Sequence, residues 1–398
     1  MEIKPNNARI SKYFDLPPLN QTATHEHLSK EDKYYTPQHK MVCNPYIFGI
    51  EIEVENCDIK NLHYNEALYW SITNDNSLRN GGVEFVSLPL RADQAENALT
   101  QLFHQLPNTI EFSPRTSIHV HMNVRDLTLD QISCLVILYT AVEDLLFKWV
   151  GHNRDQSIFC IKITETHYEK NFVELNKNPR ETVHYWNKYT AMNLLPIESK
   201  GSIEFRHMEG NQDKERILTW INILSCLKIA AKQHTFPILI RQITSLNTSS
   251  EYETFIESIF GTLTPTLTKN IFNLQTILEE PISYIKLALI DLNKHNIPKT
   301  VGIYDNIIPQ EVVIPQPTAT TRRNPFWDIL TTNTNEFINV TPPPRENIPI
   351  EPNRPGNVAA IEQNTITTFE RYMQHIEAQR IERTMEIARE NQTITGAD

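Results

Sequence analysis

Glu51, Glu53 and Glu55 occupy every second position of Tyr-Ile-Phe-Gly-Ile-Glu-Ile-Glu-Val-Glu, residues 46–55. The residues between them, Ile50, Ile52 and Val54, are aliphatic. Successive side chains of a β-strand point to opposite faces, so a strand here has one apolar face and one row of three carboxylates. Neighbours in that row lie about 6.7 Å apart and repel by about 2.5 kcal/mol at an effective dielectric near 20. Water would screen this on an open surface. In a cleft a divalent cation would reverse it, because hard cations such as Mg²⁺ take carboxylate oxygens as ligands. On this segment alone both readings stand.

Three further segments repeat the theme. Val83–Leu88 is apolar except for Glu84 and Ser87, and a carboxylate in such a strand needs an ion pair, hydrogen bonds or a metal. In Thr116–Val124, His119, His121 and Asn123 share one face, while Ile118, Val120, Met122 and Val124 share the other. Two imidazoles on one strand face can ligate a metal or hydrogen-bond a phosphate, or can simply be satisfied within the protein. In Gly201–His207, Glu204 and Arg206 alternate with Ile203 and Phe205, as in a metal site or a salt-bridged strand. One sheet with a buried side and a ligand-bearing side accounts for all four segments with a single assumption. A solvated sheet face commonly carries mixed polar residues rather than this concentration of Glu and His.

The elements that must position these residues follow from periodicity and breakers. Helices are predicted over Arg91–Leu106, over Leu129–Val150 with a Thr128/Gln131 capping box, and over Asp213–Lys232. Residues 1–40 read as a polar arm with little structure of its own, and residues 41–297 as the globular domain, helical in its C-terminal part. Residues 298–356 are dense in proline, which fixes φ and removes backbone donors, so a linker is expected, with Phe326-Trp327 able to dock on the core. Residues 357–398 are expected to form an amphipathic helix and tail, the helix running from Val358 to about Asn391, suited to packing, self-association or docking a protein partner.

The chain has 398 residues, of which 40% are hydrophobic, enough for a sizeable core. A net charge of −11 argues against a nucleic-acid partner. No apolar run approaches the ~18 residues that span a bilayer, and the N-terminus lacks a signal-peptide pattern. A soluble cytoplasmic protein with no membrane partner is expected. Cys43, Cys57, Cys134, Cys160 and Cys226 are far apart and odd in number, which points to reduced thiols rather than a disulfide framework or zinc finger. Neither Gly-x-Gly-x-x-Gly nor Gly-x-x-x-x-Gly-Lys-Ser/Thr occurs, so any nucleotide phosphate is held without a glycine loop.

The four strand segments, in this order, resemble the amidoligase family, carboxylate–amine ligases with a glutamine-synthetase-like catalytic sheet. The resemblance runs through Phe48-Gly49-Ile50-Glu51-Ile52-Glu53, Asp75–Leu78 with Gly82–Ser87 and Pro89, His119-Val120-His121, and Tyr189–Asn193 leading to Gly201–Arg206. It covers about residues 45–235. It implies an α+β fold, an antiparallel catalytic sheet with helices on one face. It also implies ATP and Mg²⁺ or Mn²⁺ as cofactors, and amide or isopeptide formation through an acyl phosphate. The substrates would be small-molecule or peptide carboxylates and amines. By motif, Glu51, Glu53, Glu84, His119 and Glu204 match metal ligands. His121 matches a catalytic residue facing phosphate. Arg206 matches a catalytic cation for carboxylate or phosphoryl oxygens, and Arg115 is a candidate phosphate contact. Asp75 and Asn193 match family positions without an assigned role, and Glu55 is a further carboxylate. The competing readings are an inactive amidoligase-like scaffold acting through its tail and a different metal enzyme, such as a phosphotransferase or metallohydrolase.

Overall fold

Alternating aliphatic and polar side chains build the strands that carry the candidate residues. In this computed structural model, residues 8–19, 46–57, 69–75, 77–151, 154–166 and 168–294 are described. The strands are β1 (Ile47–Val54), β2 (Trp70–Asn74), β3 (Val83–Ser87), β4 (Leu90–Arg91), β5 (Ser117–Asn123), β6 (Met192–Asn193) and β7 (Ser202–Glu209). They form one sheet in the order β2-β3-β1-β5-β7-β6, with β4 also pairing to β1. Every pairing between these strands is antiparallel. The fold is α+β, as the sequence implied.

The apolar face of the sheet is fully buried. Ile50, Ile52, Phe85, Ile118, Ile203 and Phe205 each have 0% exposure. Burial of one such side chain contributes about 1.5–3 kcal/mol, so this face holds the strands in register. Ten helices run α1 (Ile10–Tyr13), α2 (Ala92–Gln105), α3 (Leu129–Val150), α4 (Tyr168–Lys177), α5 (Pro179–His184), α6 (Lys214–Gln233), α7 (Phe236–Thr244), α8 (Ser249–Phe260), α9 (Thr264–Thr268) and α10 (Leu274–Lys294) among the described residues. Helices α3 and α6 cover the apolar face, with Tyr139 of α3 against Phe205 and Trp220 of α6 against His207.

Helix α3 begins where its capping box predicts. The Thr128 hydroxyl accepts from the Gln131 backbone N–H, and the Thr128 N–H donates to the Gln131 side chain at 3.0 Å. Thr128→Ala removes one side of this exchange and is expected to destabilise the protein by about 1 kcal/mol. Urea denaturation checks it as a lower midpoint with an unchanged slope.

Part of the predicted arm is docked rather than unstructured. The Ile10 N–H donates to the Leu127 carbonyl at 2.8 Å, and Ile10 and Phe14 bury their side chains in the core. Two apolar residues four apart on a single helical turn face the same way, which suffices to anchor residues 8–19. The proline-rich stretch 298–356, Phe326-Trp327, the helix expected from Val358 to Asn391 and Cys43 lie outside the described residues. Cys57, Cys134, Cys160 and Cys226 are buried, and none is in a disulfide among the described residues. Among the described residues no helix is long and apolar enough to cross a membrane.

Candidate active site

The strand register brings the ligand-type residues together. Glu51 pairs with His119 across β1 and β5, Glu53 with Glu84 across β1 and β3, and His121 with Glu204 across β5 and β7. His119 sits at the centre. Its Nδ1 lies 3.3 Å from Glu51 Oε2, 3.3 Å from Glu204 Oε1 and 4.0 Å from Glu84 Oε1, while its Nε2 lies 3.8 Å from Glu53 Oε1. Two triads with ligand spacing result, Glu51–His119–Glu204 and Glu53–Glu84–His119. Four carboxylates thus face Arg206 and the more distant Lys200, whose Nζ is 3.8 Å from Glu51 Oε1. With all four ionised and both imidazoles neutral, two negative charges lack a counterpart among the described residues.

Flanking side chains orient the ring of His119. The Ser117 N–H and hydroxyl both donate to Glu53 Oε2, at 2.7 and 2.6 Å. The same hydroxyl oxygen is 2.7 Å from His119 Nε2. Because the hydroxyl proton goes to Glu53, the oxygen accepts from Nε2–H. That turns Nδ1 toward Glu51 and Glu204, where only a proton or a metal ion makes the approach favourable. Ligands about 2.1 Å from an octahedral Mg²⁺ stand about 3 Å from one another, close to the 3.3 Å separations here. His121 Nε2 comes within 3.0 Å of Glu51 Oε1 as an ionic approach rather than an aligned hydrogen bond. That buried nitrogen has no hydrogen-bond partner among the described residues. Directly opposed like charges at Glu53 and Glu84 fit a bound cation.

The electrostatics point the same way. Burial raises the Glu51 pKa, but contacts with His119 and His121 outweigh it and hold the carboxyl well below its ordinary range. Burial also raises Glu204, and Arg206 and His119 outweigh it, leaving a lowered pKa. Burial and the Arg206 charge lower His119, yet Glu53, Glu51 and Glu204 together raise it above the ordinary imidazole value. Glu84 is the carboxylate left over. Burial and the neighbouring charge of Glu51 push it up to about 7.

The sequence profile of a family described as "Putative amidoligase enzyme" matches residues 20–228, more than half of the chain. The chain belongs to this family. Membership makes it a ligase-type enzyme. A comparison with curated proteins finds no match.

Within this amidoligase the other candidate residues take distinct places. Arg206 Nη1 donates to Glu204 Oε1, and its Nε donates to the Phe159 carbonyl at 3.2 Å. Asn193 donates from Nδ2 to Glu204 Oε2 at 2.7 Å, which gives it an orienting contact. Arg115 Nη1 donates to the Ser77 carbonyl at 3.0 Å, tying the turn before β5 to the loop before β3. The Asp75 side chain accepts from the Ser77 N–H in that loop. Glu55 stands apart from both triads, because β1 ends at Val54 and the Glu55 carboxylate accepts from the Arg79 N–H at 2.9 Å. A groove of about 640 Å³ beside Trp149 and Leu267 shares no residue with the site.

Sequence reasoning missed Ser117, Ser202 and Thr73. The Ser202 hydroxyl is 3.2 Å from His121 Nδ1, and Thr73 donates to Glu84 Oε2 at 3.0 Å. Their only signal was alignment on the faces of His and Glu. Ser117→Ala removes the hydroxyl between Glu53 and the His119 ring and leaves Glu53 only the backbone N–H, so it is expected to weaken Mn²⁺ binding by about tenfold. Isothermal titration with Mn²⁺ checks this.

Proposed function

We propose that this amidoligase is an ATP-dependent carboxylate–amine ligase that holds Mg²⁺ or Mn²⁺ on the polar face of its sheet. One observation carries the reading: Glu51, Glu53, Glu84, His119 and Glu204, from β1, β3, β5 and β7, converge on one face as two triads sharing an imidazole. Glu51, His119 and Glu204 would hold one ion, and Glu53 and Glu84, with His119 between, a second. Bound there, such ions neutralise the charge on a transferring phosphoryl group.

The remaining side chains follow from their positions. Arg206 supplies a planar guanidinium suited to phosphoryl or carboxylate oxygens, and its Nη1 already donates to the Glu204 carboxylate. His121 presents its Nε2 to the same face, 3.0 Å from Glu51 Oε1, and suits a phosphate oxygen. In the reaction a substrate carboxylate oxygen attacks the γ-phosphorus of ATP, and the bond to the β,γ-bridging oxygen breaks, releasing ADP. The amine nitrogen then attacks the acyl carbon, loses a proton, and phosphate departs. Fixed charges that need not reorganise supply most of the acceleration in such a site.

The test is a panel of carboxylates and amines incubated with ATP and Mg²⁺ or Mn²⁺, with ADP and products followed together. ADP and an amide in equal amounts are expected for the matching pair. A phosphorylated acceptor, or hydrolysis without ATP, would instead identify a different metal enzyme, and no ADP across a broad panel would count against a ligase.

A further inference from the structure

Strands β5 and β7 pair at Val120↔Phe205 and again at Ile118↔Met208. Between these pairs β5 has one residue, His119, and β7 has two, Arg206 and His207. This is a β-bulge, which takes backbone groups out of the ladder and re-aims the side chains beside it. Here the residue facing the bulge is the imidazole shared by both triads.

The carbonyls of both bulge residues are held by one side chain. Arg154 Nε donates to the His207 carbonyl at 2.7 Å, and its Nη2 donates to the Arg206 carbonyl at 2.9 Å. Arg154 opens a short 3-10 turn after α3 and is 3% exposed. Among the described residues no carboxylate lies within ion-pair distance of it. A buried guanidinium without a counter-ion is expensive, so filling space does not account for an arginine. Its rigid fork does match two successive carbonyls, which a lysine ammonium cannot span in the same way. From the other side, the Arg206 N–H donates to the Ala191 carbonyl at 2.9 Å. The backbone of Arg206 is therefore gripped on both sides while its side chain reaches Glu204.

We propose that Arg154 is a positioning residue for the candidate site, capping the bulge so that the Arg206 guanidinium stays on the face of Glu204 and His119. Sliding a strand by one residue transfers its side chains to the opposite face, so the cap decides where this cation points. The role given to Arg206 rests on the ligase reading above, whereas the cap itself does not.

The test uses the full chain with Arg154→Lys, Arg154→Met, Arg206→Ala and the double variants, measuring Mn²⁺–ATP affinity alongside thermal stability. Both Arg154 variants are expected to weaken binding about tenfold when Arg206 is present and less than about twofold when it is alanine. Equal losses in both backgrounds, or an unchanged affinity in Arg154→Lys, would overturn the proposal. So would failure of Arg154→Lys to fold, since the role would then be structural. Should the unaltered protein bind no Mn²⁺–ATP, the ligase reading fails and the crystal structure of Arg154→Lys decides. Loss of the Arg206–Glu204 contact in an intact sheet would support the cap, and its retention would refute it.

Discussion

His119→Ala is expected to abolish tight divalent-cation binding, lowering Mn²⁺ affinity by at least about 100-fold. Loss of a group that merely orients a ligand costs about 10- to 100-fold, and His119 is itself common to both triads. The unaltered protein should melt at a higher temperature as Mn²⁺ is added, because an ion that binds only the folded state stabilises it. The variant should show no such rise. Its behaviour without metal also has a definite sign. The folded pKa of His119 lies above its ordinary value, because the pull of Glu53, Glu51 and Glu204 outweighs burial and the Arg206 charge. The imidazolium therefore contributes stability that is fully present below the ordinary imidazole pKa and is lost as pH rises through the raised folded value. The metal-free variant should lose most stability on the acidic side and least on the basic side. Equal Mn²⁺ stabilisation in both proteins would remove His119 from the site.

Glu84→Gln should move stability and metal binding in opposite directions. Glu84 opposes Glu53 across β1 and β3, and burial together with the charge of Glu51 raises its pKa to about 7. The unfolded value lies near 4.5, so the folded state holds the proton more tightly between these limits. Without metal, stability from this group is greatest below pH 4.5 and falls as pH rises to about 7. Glutamine keeps the neutral shape at every pH. The metal-free variant should gain on the order of 2 kcal/mol at pH 8 and lose this part of the pH dependence. Its Mn²⁺ affinity at pH 8 should fall by at least about tenfold, since an amide oxygen brings no negative charge to the ion. In the unaltered protein, Mn²⁺ must displace the Glu84 proton, so its affinity should decline as pH drops below about 7. Thermal melts and titrations at pH 6 and 8 separate these effects. A variant less stable than the unaltered metal-free protein at pH 8 would contradict the crowding of negative charge here.

The strands were legible because period-two alternation with one fully buried face leaves little freedom. Ile50, Ile52 and Val54 must go inward, and Glu51 and Glu53 must then share the outer face. The same parity puts Glu55 beside them. It fails there because β1 ends at Val54 and the next carboxylate turns to the Arg79 N–H. Helix α3 was legible through its cap, a local signal. Convergence was harder to read, since Glu53 meeting Glu84 depends on register between segments about 30 residues apart, which strand patterning constrains only indirectly. Ser117 gave almost no warning, because a serine beginning a strand is ordinary until its hydroxyl is seen between Glu53 and His119. Arg115 shows what charge alone leaves out: an arginine near the ligands suggests a phosphate contact, while the hydrogen bond from its Nη1 to the Ser77 carbonyl depends on a loop 38 residues away. Arg154 was invisible for the opposite reason. Its partners are main-chain carbonyls exposed by a bulge, and a bulge leaves no composition signal in β7.

The most direct measurement is anomalous diffraction from crystals soaked with Mn²⁺ and a non-hydrolysable ATP analogue. Manganese peaks are expected between His119 Nδ1, Glu51 and Glu204 and beside Glu53 and Glu84, with the terminal phosphate toward Arg206 and His121. A face free of manganese at saturating concentration, or a nucleotide bound elsewhere, would contradict a metal-bearing catalytic sheet.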